Sequence, residues 1–238
     1  MFRPMLGFLL ALAALSPAAF GQYTRQITFS GYTFLVKTSA GKVGPGPNYF
    51  SDSTDNVWVD GSGLLHMKIT RQGNRWNCAE IILTNSFGYG SYRFYLNSPV
   101  DNLDPNVVLG LFTWNDDPAY NHREIDIEFS RWAQANNLNA QYVVQPYTDL
   151  LNILRWNEPP NLPQSVHTFQ WTASSVNFAS FAGNSPYVAP ILQVRMTNGI
   201  PLPGGENVHI NLWLDQGRAP VHKQSVEVVF SKFELSLQ

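Results

Sequence analysis

The segment REIDIEFSRW, Arg123 to Trp132, places Glu124, Asp126 and Glu128 on alternate positions with Ile125, Ile127 and Phe129 between them. Strict alternation is the signature of a strand, whose successive side chains point to opposite faces. One face then buries two isoleucines and a phenylalanine, while the other carries only carboxylates. Acidic residues are poor strand formers, and like charges side by side cost free energy. Hydrolysis of a glycosidic bond is a chemistry that would offset this cost. It needs one carboxyl group to protonate the leaving oxygen and a second to attack the anomeric carbon or activate water. A third carboxylate between them adds negative potential that keeps the acid protonated near neutral pH. The spacing sets a geometric demand. Cα atoms four residues apart on a strand lie roughly 13 Å apart, whereas a retaining pair holds its carboxyls about 5–5.5 Å apart. Two long Glu side chains must therefore lean together over a curved sheet.

Two plainer readings of the same triad stand beside this one. A solvated acidic face would intersperse Lys or Arg, but the adjacent Arg123 and Arg131 have the opposite parity. A Ca²⁺ site would also use carboxylate oxygens, although its ligands usually come from loops that add several carbonyls.

The elements that must hold the triad read as all-β. Short β-rich segments alternate with Gly, Pro, Asn and Asp clusters, without a run of helical period, an internal repeat or a low-complexity tract. Strands are expected at QITFSGYTFLV, GLLHMKI, AEIIL, GSYRFYL, NVVLGLFTW, EIDIEFS, AQYVVQPY, HTFQWTA, SVNFASF, ILQVRM, NVHINLWL and SVEVVFSKFELSL. About a dozen strands in one domain imply two stacked antiparallel sheets rather than one open sheet. Parity assigns their faces. In VVLGLFTW, Phe112 and Trp114 are in phase; in NVHINLWL, His209, Asn211 and Trp213 share one face and Val208, Ile210 and Leu212 the other. Aliphatic faces would form the inter-sheet core. The mixed faces would line a concave groove of aromatic platforms and hydrogen-bonding groups, which suits the apolar C–H faces and hydroxyls of sugars.

Composition is compatible with such a ligand. In 238 residues there are 15 Lys and Arg against 17 Asp and Glu, which argues against nucleic acid or an anionic membrane surface as the main partner. The N-terminus combines MFRP, the apolar run MLGFLLALAAL and the small-residue segment SPAAFGQ. It reads as a signal peptide over residues 1–21 cleaved after Gly21, with residues 22–238 as a single domain that is secreted or periplasmic. The alternative, a membrane anchor, would need about 20 apolar residues, more than this run supplies. Cys78 has no partner for an internal disulfide and reads as a small buried residue. The five histidines show no metal-ligand pairing, and His167 in HTFQW reads as satisfying a local hydrogen bond. No G-x-S-x-G, H-E-x-x-H or phosphate-cradling glycine loop is present.

At EIDIEF the chain resembles glycoside hydrolase family 16, whose E-x-D-x-E signature it carries in the form without an inserted residue. The resemblance extends to NYF, AEI, FGYGSYRF before VVLGLFTW, HTFQW and HINLW, covering most of residues 48–213 in order. It implies a concanavalin-like jelly roll with a concave cleft, a retaining mechanism and β-glucan-type polysaccharides. By position, Glu124 resembles the nucleophile, Glu128 the general acid/base and Asp126 the carboxylate that tunes its neighbours. Glu80 falls on a cleft glutamate that contacts sugar hydroxyls, Phe112 and Trp114 on cleft aromatics, and Asn211 and Trp213 on the cleft residues of NLW. Asn48 and Phe50 would form the far wall, and Gln145 would also contact substrate. Two departures are visible. Ile82 stands where lichenases commonly have Arg, which leaves the preferred linkage open. Ser231 stands where many members have an Asp that helps hold a structural Ca²⁺, so no cofactor is required and that metal is not predicted. The chain is expected to act as a monomer on a polysaccharide or oligosaccharide. A non-catalytic carbohydrate-binding jelly roll and a transglycosylase of the same family are the alternatives.

Overall fold

The structure, a computed structural model, describes residues 22–237. The signal peptide expected over residues 1–21 lies outside them. With strands numbered in chain order, one sheet runs β1 (Gln22–Phe29), β2 (Tyr32–Thr38), β6 (Arg75–Leu83), β15 (Asn207–Leu214), β8 (Val107–Trp114), β9 (Ile125–Phe129), β10 (Ala140–Val144) and β11 (Ile153–Trp156). The second runs β4 (Val57–Val59), β5 (Leu65–Gln72), β16 (Val226–Leu237), β7 (Gly90–Leu96), β12 (Ser165–Trp171), β13 (Val176–Ala182) and β14 (Leu192–Met196). Pairing within both is antiparallel. The layers join through the β5–β6 hairpin, where Thr70 pairs with Asn77, and β3 (Tyr49–Phe50) adds a short parallel pairing to β6. This is the curled, two-layered jelly roll expected from the strand count. Among the described residues no helix is long and apolar enough to cross a membrane.

Alternation decides which faces meet. From the first sheet, Leu109 and Leu111 of β8, Ile125, Ile127 and Phe129 of β9, and Ile210 and Leu212 of β15 are fully buried. From the second, Tyr92, Phe94, Phe169, Phe178, Phe230 and Phe233 face them in one continuous core. Tyr142 of β10 stacks on Phe178 at 4.9 Å, and Tyr92 on Phe169 at 4.7 Å. Each such side chain contributes about 1.5–3 kcal/mol by leaving water. One polar seam crosses this core. His167 hydrogen-bonds Ser165 Oγ at 2.8 Å through Nε2 and Ser180 Oγ at 2.7 Å through Nδ1, and Ser180 also meets the Tyr142 hydroxyl. Burial holds His167 neutral, its pKa pushed down to about 3.

Some elements differ from the sequence reading. QITFSGYTFLV is a hairpin rather than one strand, because Ser30 and Gly31 take left-handed φ values of 52° and 82° that turn the chain. The strand in AQYVVQPY stops at Val144, ahead of Pro146, which has no N–H for a ladder. β3, β4 and β11 were too short to show a period.

Ile127 supports the acid-bearing strand from the core side and has no exposure. Ile127→Ala should lower stability by about 2–5 kcal/mol through transfer and cavity terms, measured by urea unfolding. Leu150→Ala, at a position 86% exposed, should change it by less than about 0.5 kcal/mol.

Candidate active site

The acid stripe sits in the middle of the first sheet, on the face away from the core. Its entry is unusual. Tyr120, Asn121, His122 and Arg123 take consecutive left-handed φ values of 56°, 52°, 64° and 55°, a conformation disfavoured for L-residues. Several contacts hold this run. Asn115 N–H donates to the His122 carbonyl at 2.8 Å, His122 Nδ1 donates to the Asn115 carbonyl at 2.9 Å, and the His122 ring stacks on Trp114 at 4.1 Å. Thr113 Oγ1 donates to the Arg123 carbonyl at 2.7 Å and accepts from Ile125 N–H at 3.2 Å. The chain returns to an extended conformation at Glu124, so the first acid is placed by a tightly tied turn and the other two by the sheet.

Glu124, Asp126 and Glu128 all open onto one groove of about 400 Å³. Cross-strand register lays out its floor. Glu80, Asn211, Gly110, Glu128, Gln141 and Arg155 lie in one row across β6, β15, β8, β9, β10 and β11. Ile82, His209, Phe112 and Asp126 form the next row. Gly110 is required by close approach: a Cβ there would lie 2.5 Å from Asn211 Oδ1. Aromatic rings on β8 and β15 stand beside the acids. Phe112 packs on His209 at 5.0 Å, Trp114 Nε1 donates to Asp116 Oδ1 at 3.1 Å, and Trp213 meets Trp132 edge-on at 6.1 Å. Tyr23, Lys37 and the Val43–Pro45 turn enclose the end of the groove near Glu80.

Two carboxylate systems share this groove with opposite electrostatics. Burial alone would raise the Glu80 carboxyl, but it is held below its ordinary range by Lys37 and His209. Lys37 Nζ donates to Glu80 Oε2 at 2.8 Å, and His209 Nδ1 donates to Oε1 at 3.0 Å. The triad has no such cations beside it. Burial and then repulsion from Glu128 push Glu124 up to about 8, partly offset by a hydrogen bond shared with Asp126. Asp126 is raised well above its ordinary range by burial and by both neighbouring acids, while Gln145 Nε2 donates to its Oδ2 at 3.1 Å. Glu128 is raised by burial to about 7, with Gln141 and Arg155 pulling the other way. Gln141 Nε2 donates to Glu128 Oε2 at 2.6 Å. These groups titrate as a coupled set, and near neutral pH they hold protons that solvated carboxyls would have lost. Such an arrangement can both donate a proton and offer a nucleophilic oxygen.

The acidic stripe is therefore not a solvated face. Arg123 turns away to the Leu202 and Ala119 carbonyls and Asp117, and Arg131 donates to the Asn137 carbonyl. Of the other residues singled out by sequence, Glu80, Phe112, Trp114, Asn211 and Trp213 line the groove with the triad. Gln145 lies against Asp126. Asn48 and Phe50 correct the far-wall expectation. Asn48 Nδ2 donates to the Pro45 and Leu214 carbonyls, bracing a loop, and Phe50 is fully buried in the core under Lys37. Phe50 pairs with β6 and Asn48 bridges to Val43, so both fold inward, away from the place the family resemblance implied. Lys37, Tyr23, Asp116, Gly110 and Gln141 were missed. Gln141 alternates with Val143 and Gln145, and Gly110 with Phe112 and Trp114, so parity could have found both; Asp116 lies just past the end of β8, while Tyr23 and Lys37 reach the groove only through long-range pairing. Ser231 donates to the Tyr95 carbonyl at 3.5 Å and supplies no carboxylate for a Ca²⁺ at that strand.

Because the folded chain keeps Glu124 protonated above its ordinary value of 4.5, ionisation of this group opposes folding. Its stability contribution is full below the unfolded value and is lost as pH rises through about 8. Glu124→Gln should therefore melt higher than the parent at pH 8 by about 2–8 °C, or about 1–2 kcal/mol for a chain of this length. The two should converge near pH 4, as followed by circular dichroism.

No family model and no curated protein sequence matches the chain. Solved structures do match. A prokaryotic β-1,3-1,4-glucanase (lichenase) derived from a mouse hindgut metagenome superposes with a TM-score of 0.64 at 17% identity, covering 93% of this chain and 100% of that one. The Bacillus licheniformis β-glucanase gives 0.63 at 15% identity, covering 94% and 99%. A β-1,3-glucanase from Mycobacterium marinum gives 0.62 at 14% identity, covering 85% and 90%. At these identities the likeness establishes a shared fold: this chain has the jelly-roll architecture found in those β-glucanases.

Proposed function

We propose that this chain is a secreted, endo-acting retaining glycoside hydrolase that cleaves β-linked glucan of the β-1,3 or mixed-linkage β-1,3-1,4 type. The observation that carries the reading is the set of three mutually repelling carboxyls, Asp126 buried and Glu124 and Glu128 half-buried, opening onto one aromatic-flanked groove. A binding module would gain little from crowding acids that weaken its fold. The shared architecture with lichenase and β-1,3-glucanase supports a β-glucan as the substrate, and the residue pattern over 1–21 supports export.

In the first step Glu128 gives its proton to the leaving glycosidic oxygen while Glu124 attacks the anomeric carbon, forming a glycosyl–enzyme ester. In the second, Glu128 removes a proton from water, which displaces Glu124 and restores both groups. Asp126 keeps the proton of this pair and donates it in a hydrogen bond to Glu124, which orients Glu124 and leaves it a carboxylate for the attack. Phe112, Trp114 and Trp213 offer apolar ring faces to the sugar, and Asn211 and Glu80 offer polar groups to its hydroxyls.

Glu124→Ala and Glu128→Ala should each lower release of reducing ends from mixed-linkage β-glucan or laminarin by about 10³-fold or more, with the fold intact. Asp126→Asn should cost less, about 10–100-fold. Near-parental turnover in either Glu variant overturns the assignment. An α-anomer as the first product, seen by proton NMR, overturns retention.

A further inference from the structure

We propose that Arg155 is a positioning residue for Glu128, acting through the orientation of the Gln141 side-chain amide. Glu128, Gln141 and Arg155 stand directly opposite one another on β9, β10 and β11. Gln141 Nε2 donates to Glu128 Oε2 at 2.6 Å, and Arg155 Nε donates to Gln141 Oε1 at 3.0 Å. A carboxamide presents an acceptor at one end and donors at the other, and the two ends have nearly the same shape. Left alone beside a protonated Glu128, Gln141 could turn over and accept the carboxyl proton. A guanidinium has donors only, so Arg155 holds the amide oxygen to itself and leaves the nitrogen for Glu128. The buried amide, 5% exposed, thereby carries the influence of an exposed arginine to the groove floor.

The consequence is a bias on one carboxyl of the set. The other ionisable groups on the groove are Asp126 on the same strand, Glu124 at its entry, Asp116 beyond β8, Tyr23, and Glu80 with its Lys37 and His209. Lys37 is committed to Glu80, so the guanidinium on the β11 side is the cation acting on Glu128. Its relay favours the ionised form needed when Glu128 takes a proton from water, and limits how far burial raises this group relative to Glu124.

This inference rests on the proposed hydrolase reading. Arg155→Met should move the basic limb of the kcat/KM–pH profile up by about 0.5–1 unit and lower kcat by about 5-fold, with KM unchanged. Gln141→Met should give the same limb shift, the double variant no more than Gln141→Met alone, and Arg155→Lys a partial return. A profile that superposes on the parent's, or additive shifts in the double variant, overturns the relay. A change confined to KM would make Arg155 a sugar contact and also overturns it. Carbon-13 titration of the Glu128 carboxyl in parent and Arg155→Met separates the two ideas. If the parent cleaves no β-glucan, the hydrolase reading fails, while the shift of the Glu128 midpoint still decides the role of Arg155.

Discussion

Glu124, at the entry to β9, and Asp126 and Glu128 on it repel one another, and their partial or full burial removes much of the water that would screen them. The opposite face of the strand must hold this arrangement, and it does so with Ile125, Ile127 and Phe129 locked into the core. Neighbouring strands add the rest. β8 supplies Gly110, whose missing Cβ leaves room for the Asn211 amide, and β10 supplies Gln141, with Gln145 just beyond its end, as neutral donors. Neutral amides are a telling choice. A lysine or arginine in direct contact would have held the acids ionised, as Lys37 does for Glu80, and left no proton to give.

The contrast with Glu80 shows that the fold can neutralise a buried carboxylate where that is useful. Lys37, Glu80 and His209 satisfy one another within 3.0 Å, so this end of the groove has a fixed charge pattern. The triad, one strand beyond Gly110 and two beyond Asn211, is left adjustable. A ligand crossing both regions meets a rigid polar end and then a set of groups whose protons can move. Rigid placement beside adjustable protonation is what proton-transfer catalysis needs from a scaffold.

Much of this was legible in the chain because a strand reports its two faces directly. The period of two in EIDIEF, VVLGLFTW and NVHINLWL separated core from groove without reference to three dimensions. Charge neutralisation was not legible. Lys37 and Glu80 are 43 positions apart, and Glu80 and His209 are 129 apart, so only sheet order brings them together. Nor was the left-handed run before Glu124, since Tyr120, Asn121, His122 and Arg123 include no glycine to announce it. Asn48 and Phe50 illustrate the opposite failure. The family resemblance implied a groove wall there, but the Val43–Asn48 bridge and the β3–β6 pairing carry both inward.

Unsatisfied polar atoms sharpen the distinction between structural and functional burial. Among the described residues, Asn152 Oδ1, Trp156 Nε1, both carboxyl oxygens of Glu158 and Asn211 Oδ1 are buried without a hydrogen-bond partner. Such atoms cost about 1–3 kcal/mol each wherever they occur, so the cost alone does not mark a site. Burial and Asp101 push Glu158 up to about 8, so it can relieve its own cost by staying protonated away from the groove. Asn211 has no comparable escape, because an amide oxygen does not titrate. It stands over Gly110, one strand from Glu128, and opens onto the groove. Its side chain borders the groove with the acids, so the buried amide and the chemistry occupy adjoining positions on β8, β9 and β15.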